Sequence, residues 1–232
     1  MEYPGGKNAP GVFQAIINQI PPHSVYLEPF LGSGAIWRHK SAAAVQVGLD
    51  LDSEAVYSFS RATGAQVVQV SDLLSGRSGV AVGCAFDLLA NWSWSGNEFV
   101  YLDPPYPAKV RRGGSIYRFE LLSETEHLRL LRLVRSLPAG VAISSYPNSL
   151  YERELPGWRR VEFQSMTQAG PATEALYCNY PPPTELHDFR YLGKDRSSRQ
   201  AFRRKKQRWL ARLKKMNPLE RQAMLEAMSD LA

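Results

Sequence analysis

Cysteine is nearly missing from this chain: there are two, Cys84 and Cys178, both in apolar company. That excludes a disulfide framework as the basis of the fold and fits a reducing cytoplasm. Histidine is sparse as well. His23, His39, His127 and His187 stand far apart without ligand spacing, so no metal site is expected. No apolar run is long enough to span a membrane. The opening Met1-Glu2-Tyr3-Pro4 has no basic stretch leading into an apolar one, so no secretory signal is expected. The phosphate-cradling pattern GxxxxGK[ST] and the dinucleotide pattern GxGxxG are both lacking, which weakens ATP and NAD as ligands. Internal repeats and low-complexity tracts are lacking too.

What is present suits one α/β domain with a sizeable core plus an appendage: 232 residues, 44% hydrophobic and 22% charged. The net charge of +6 is uneven. Residues 186–215 hold twelve Lys/Arg against two Asp/Glu, a balance of +10, and the rest carries −4. A basic tail on a mildly acidic body suits a polyanion partner, most simply nucleic acid. The plainer alternative is a solvated helix face.

Periodicity sets out the elements. Phe13, Ile16, Ile17 and Ile20 share a helical face, so residues 10–20 read as an amphipathic helix that Pro21-Pro22 stops. Strands are expected at 24–28, 44–50 and 66–70, and helices at 53–62 and 85–92. A buried strand, Phe99-Val100-Tyr101-Leu102, follows. Ser123-Glu-Thr-Glu126 is a capping box that opens a helix running to Leu137. Gly140 to Ser144 is a further strand, and 159–167 with 173–180 form a closing pair. Strands alternating with helices predict a doubly wound, mainly parallel sheet with an antiparallel closing strand. Pro181-Pro182-Pro183 marks a boundary, giving domains 1–183 and 184–232. Beyond it, Phe202, Trp209, Leu213 and Met216 share a helical face. Asn217-Pro218-Leu219-Glu220 reads as N-cap, N1 and N3 of a second helix, which predicts a C-terminal helical hairpin.

Four clusters carry chemistry. Tyr3-Pro4-Gly5-Gly6-Lys7 offers close backbone approach, a cation and a ring face, though taken alone it reads as an ordinary turn before a helix. Glu28-Pro29-Phe30-Leu31-Gly32-Ser33-Gly34 is a glycine-rich strand-to-helix turn, the place such sheets use for a cofactor. Glu28 there could hold an ammonium group. Asp50 ends the next strand 22 residues on, placed for ribose hydroxyls or as a cap for the helix at 53. Asp72 could reach an adenine, or serve a turn or cap. The fourth cluster, Asp103-Pro104-Pro105-Tyr106, puts a carboxylate, free carbonyls on a stiff backbone and a ring at a strand's C-terminal end. Together these could grip the amino group and face of a nucleobase. Arg111-Arg112-Gly113-Gly114 follows as a basic loop able to clamp phosphates, or as a plain surface loop.

With these four clusters in this order, the sequence resembles the Dam-type (D12 class, alpha group) DNA adenine N6-methyltransferases over residues 3–180. Ile143 to Tyr151 and Thr173 to Tyr180 are weaker echoes. The resemblance implies a Rossmann-like class I methyltransferase fold with S-adenosylmethionine as methyl donor. It implies cofactor contacts at Tyr3, Lys7, Glu28, Phe30, Gly32, Gly34, Asp50 and Asp103, and a catalytic set of Asp103, Pro104 and Tyr106. The expected partner is double-stranded DNA with an adenine flipped out of the stack. Phosphates would be met by Arg111, Arg112, Arg203, Arg204, Lys205, Lys206 and Arg208. Family members insert a sequence-reading domain between the second acidic strand end and the catalytic motif. Here Asp50 and Asp103 lie too close for one, so little sequence reading is expected. Two readings compete: an RNA adenine N6-methyltransferase, and a non-catalytic nucleic-acid-binding homologue. The C-terminal helices could also mediate self-association. A phage or restriction-modification setting is an association only.

Overall fold

The computed structural model describes residues 6–107, 123–167 and 170–230. Tyr3, Arg111 and Arg112 lie outside the described residues. The chain divides into two compact units, 1–189 and 190–232. The break falls a few residues after the proline run. The intervening segment stays with the body, where the His187 amide donates to the Ile20 carbonyl and the Asp188 carboxylate accepts from the Ser41 amide.

In the first unit, α1 (Val12–Ile17) leads into β1 (Val25–Glu28), α2 (Ala35–His39), β2 (Val45–Asp50) and α3 (Ser53–Thr63). Then come α4 (Val70–Leu74), β3 (Gly79–Val82), α5 (Ala85–Asn91) and β4 (Glu98–Leu102). After them follow α6 (Glu124–Arg135), β5 (Gly140–Ser145), α7 (Ser149–Glu154), β6 (Arg159–Thr167) and β7 (Gly170–Cys178). The strands form one seven-stranded sheet in the order β3-β2-β1-β4-β5-β7-β6. Five are parallel, and β7 runs antiparallel between β5 and β6. This is the Rossmann-like class I methyltransferase arrangement that the sequence led us to expect. Strand order reverses between β1 and β4, so the crevice at their C-terminal ends is where such a sheet binds ligands.

Strand alternation builds the layers. Leu27, Val47, Leu49, Val100, Leu102, Val141 and Ile143 point to one face, where Leu88 and Leu89 of α5, Leu130, Leu131 and Val134 of α6 and Tyr151 of α7 cover them. On the other side, Val56 and Phe59 of α3 pack with Leu31 and Val80. Every element between Asp50 and Asp103 belongs to the sheet or its covering helices, which leaves no inserted domain there.

One strand differs from the expectation. Residues 66–70 do not form the third strand, which is Gly79–Val82. Val67 makes a single bridge to Val80, and the chain turns into α4 at Val70. The β-branched run 67–70 is an edge fragment alongside the true strand. Asp72 is therefore the third residue of a short helix, its carboxylate accepting from the Gln69 amide, which is the turn-or-cap role of the two the sequence offered.

The second unit holds α8 (Arg196–Lys215) and α9 (Pro218–Ser229), the latter beginning at the expected place. Asn217 caps α9 by accepting from the Glu220 amide. Neither helix buries a side chain, so the pair does not close into a packed hairpin.

Gly34 is the tightest backbone requirement. It has φ of 58°, and a Cβ there would stand 2.1 Å from the Phe59 ring. Gly64 has φ of 76° but open space around it. Gly34→Ala is expected to cost about 3 kcal/mol or more, lowering Tm by about 6–12 °C. Gly64→Ala, which meets backbone strain alone, should cost about 1 kcal/mol. Equal melting shifts for the two would show that the Phe59 contact does not matter.

Candidate active site

Four strand ends and the N-terminal segment meet at one edge of the sheet. The glycine turn after β1 is held by Asp50, which ends β2. Its Oδ2 accepts from the Gly32 amide at 2.7 Å and its Oδ1 from the Asp52 amide at 2.9 Å. Burial raises the pKa of Asp50, and these backbone bonds act against the rise. Asp50 is not the cap of α3; Asp52 is, accepting from the Glu54 amide. Phe30 packs half-buried against the core, which fixes the start of the turn. Next to the turn, Leu51 and Val82 are exposed apolar residues at the ends of β2 and β3.

The N-terminal cluster is tied to the same turn. Asn8 donates to the Ser33 hydroxyl at 3.2 Å and accepts from Arg38 of α2 at 2.8 Å. This brings Lys7 inward, where it is only 4% exposed. Its ammonium lies 2.9 Å from Asp103 Oδ1 and 3.3 Å from Glu174 Oε2. It also stands 5.0 Å from the centre of the Tyr106 ring.

Asp103 follows β4 directly, and Pro104 behind it is buried. The Tyr106 hydroxyl donates to Glu174 Oε2 at 2.6 Å, and its ring meets that of Tyr146 edge-on at 4.8 Å. Tyr146 comes from the end of β5, and Glu174 from β7, whose neighbour Ala175 pairs with Ser145. Tyr101 of β4 bonds Ser144 of β5 beneath them at 2.9 Å. Burial pushes the pKa of Asp103 up, and Glu174 adds to this, while Lys7 pulls it down. Burial also acts to raise that of Glu174. There Lys7, the Tyr106 hydroxyl and Ser165 together prevail and hold it below the ordinary carboxylate value. Relative to its own ordinary value Glu174 is held toward the charged form and Asp103 away from it, and Asp103 is the more exposed, at 19% against 8% for the side chains.

Glu28 is 2% exposed, and its carboxyl serves the protein. Oε2 accepts from the Tyr26 hydroxyl at 2.8 Å and the Trp37 amide at 3.1 Å, which anchors the start of α2. Burial lifts its pKa from 4.5 to about 8. A carboxyl with a raised folded pKa holds its proton more tightly folded than unfolded. Stability therefore falls as pH rises from about 4.5 to about 8. Glu28→Gln, which keeps both accepted bonds, should remove that slope and gain on the wild type progressively across the window. Parallel stability–pH curves from denaturant titrations would contradict this.

The structure thus joins Lys7, Asp103 and Tyr106 by direct contacts and ties Gly32 to Asp50, while Glu28 is bonded within the strand–helix junction and Phe30 packs on the core. Arg203, Arg204, Lys205, Lys206 and Arg208 lie exposed on α8 in the other unit. Sequence reasoning did not single out Glu174 or Tyr146. Their signal was faint: a charge preceding the apolar run Ala175-Leu176-Tyr177-Cys178, and an aromatic just past a strand. Among the described residues no group of His, Cys, Asp and Glu is arranged to hold a metal ion, and no helix is long and apolar enough to cross a membrane.

No family model matches the chain, and no curated protein matches it. Solved structures do. The chain is similar to precorrin 8w decarboxylase from Methanobacterium thermoautotrophicum, at 12% identity over 77% of this chain and 94% of that one, with a TM-score of 0.47. It is similar to an O-methyltransferase from Bacillus cereus in complex with SAH, at 14% identity over 76% and 84%, with a TM-score of 0.45. It is also similar to an rRNA methylase from Streptococcus thermophilus, at 11% identity over 72% and 92%, with a TM-score of 0.43. At these identities and overlaps the likeness is one of fold, and the chemistry rests on the chain's own residues.

Proposed function

We propose that this protein transfers a methyl group from S-adenosylmethionine to the N6 amino group of adenine in DNA. The observation that carries the reading is the convergence of Lys7, Asp103 and Tyr106 beside the glycine turn, at the crevice between β1 and β4.

The residues present fit the donor. Asp50 would hold the ribose hydroxyls, since a carboxylate that accepts two backbone bonds still has lone pairs to offer. Leu51 and Val82 give apolar contact for the purine. Lys7 would meet the donor's carboxylate and Glu28 its ammonium. Because the Glu28 carboxyl is partly protonated near neutral pH, the arriving ammonium would release that proton. When bound, the donor supplies a methyl group on a cationic sulfur.

The chain's own residues then act on the nucleophile. An adenine amino nitrogen is poor in this role because its lone pair is delocalised into the ring. The Asp103 carboxylate and the Pro104 carbonyl accept hydrogen bonds from its two N–H groups, favour a tetrahedral nitrogen and aim its lone pair at the methyl group. Tyr106, fixed at its hydroxyl by Glu174 and at its edge by Tyr146, stacks on the base. Extruding the base from the duplex costs a few kcal/mol, roughly, which stacking and the amino contacts offset. The basic helix α8 would hold the phosphates. With no inserted domain between Asp50 and Asp103, sequence reading is slight.

The test is mass spectrometry of nucleosides from DNA and RNA treated with an isotopically labelled donor. Labelled N6-methyladenine from DNA is expected, and sequencing of methylated random DNA should find it in many sequence contexts. Label in RNA alone, or in N4-methylcytosine, would replace this reading with another, and no label in either polymer would remove it.

A further inference from the structure

The hairpin of β6 and β7 outruns the sheet it belongs to. β5 pairs with β7 only as far as Ser145 opposite Ala175, while β6 and β7 stay paired in unbroken register on to Thr167 opposite Gly170. β5 runs parallel to β4, so its C-terminal end lies on the crevice side of the sheet. The five pairs beyond Ala175 therefore project past that edge, by about 17 Å at the usual rise of a strand. The first of them carries Glu174, which meets Lys7 and Tyr106, so this ribbon is rooted in the candidate site.

Strand alternation sorts the ribbon's side chains. Ser165 and Ala172 face the same way as Glu174 and are buried. Gln164, Met166 and Thr173 face the other way. Met166 is 73% exposed, more than any other large hydrophobic side chain described in the first unit. The Gln164 amide nitrogen donates to the Thr173 hydroxyl across the ribbon at 2.9 Å. That bond steadies the amide and leaves its oxygen and second N–H to offer. Residues 163–173 contain no charged side chain.

We propose that this ribbon enters the major groove of the DNA substrate beside the target adenine, where Gln164 meets a purine edge and Met166 the methyl group of a thymine. The inference rests on the methyl-transfer reading and adds to it the element that reads what little sequence is read.

The major groove admits a two-stranded β-ribbon, and it is the groove in which every base pair shows a distinct pattern. A glutamine amide matches the donor and acceptor of a purine edge there, and an apolar side chain matches the thymine methyl. Contact with that methyl also takes the exposed Met166 out of water. Without acidic residues the ribbon does not repel the phosphates that flank the groove. Without basic ones it does not grip them, so its contribution is selectivity more than strength. Because its root holds Tyr106, the bases within its reach are those next to the target.

The test measures methyl transfer by the full chain to one strand of a duplex, a strand holding a single adenine flanked by guanines and thymines. In a second duplex, 7-deazaguanine and uracil replace those flanking bases, which removes only major-groove groups. The wild-type kcat/KM should fall about tenfold on the second duplex. A Gln164→Ala, Met166→Ala double variant should be about tenfold slower than the wild type on the first duplex and lose nothing further on the second. Both altered side chains are exposed, so donor affinity by calorimetry and melting temperature should match the wild type. Hypoxanthine in place of the flanking guanines removes a minor-groove amino group and should not slow the wild type. Wild-type rates indifferent to the major-groove changes, equal slowing by hypoxanthine, or a double variant that still loses tenfold on the second duplex would each overturn the inference while methyl transfer to the first duplex stands. If the wild type methylates no DNA at all, the proposed function and this inference fall together.

Discussion

Asp103→Asn is expected to lower the rate of methyl transfer about a thousandfold or more while the protein stays folded. The substitution keeps shape but replaces an acceptor with an amide. One of its two heavy atoms would then present N–H groups to an amino group that also donates. Lys7 keeps Glu174 as a partner at 3.3 Å, so the site does not collapse around an unpaired cation. Donor affinity is expected to stay within about tenfold, because Asp50, Glu28 and the glycine turn are untouched. In the wild type, burial raises the pKa of Asp103, so the acid limb of the rate should lie above the usual carboxylate value of 3.8. Single-turnover kinetics with labelled donor read both effects. A variant within tenfold of the wild-type rate would place the chemistry elsewhere.

The second large effect belongs to α8. Replacing Arg203, Arg204, Lys205, Lys206 and Arg208 with glutamine keeps helix propensity and removes five exposed charges. Duplex affinity near 0.15 M salt is expected to fall about 10²–10³-fold. The slope of log affinity against log salt should flatten by about 3–5. Donor binding and thermal stability of the body should not change. An unaltered salt slope would assign α8 another role, and sedimentation of the same variant would then show whether self-association is that role. Trp209, Leu210, Leu219 and Leu225 are all exposed, so such a role has apolar surface to draw on.

Much of the fold could be read from local signals because the body is built from short, regular units. Ser123 and Glu126 form the expected capping box, and the strand before Asp103 is buried throughout. The closing pair 159–167 and 170–178 lies within three residues of its reading. The third strand was misplaced because Val67, Val68 and Val70 have the composition of a strand. The sheet edge instead selects Gly79–Val82, where the lack of a side chain at Gly79 lets the Gln66 carbonyl approach: a Cβ there would stand 2.9 Å from it. That choice is made by packing between segments, which local propensity does not report.

The site divides in the same way. Glu28, the glycine turn, Asp50 and the Asp103 cluster each sit at a strand end, so their shared edge follows from a parallel sheet. Lys7 is brought in by Asn8, which links Ser33 and Arg38 across the turn. Glu174 depends on an antiparallel register, with Ala175 opposite Ser145, that no local pattern specifies. Glu28 was expected to stand ready for an ammonium group. Its bonds to Tyr26 and Trp37 give it a structural task as well, one that arises from the strand–helix junction and not from any motif.

Isothermal titration of the full chain with S-adenosylmethionine is the most direct check that the crevice between β1 and β4 is a donor site. Saturable one-to-one binding is expected, weakened at least tenfold by Asp50→Ala, and tightening as pH rises toward 8 while Glu28 loses its proton. Absence of binding, or binding that Asp50→Ala leaves intact, would contradict it.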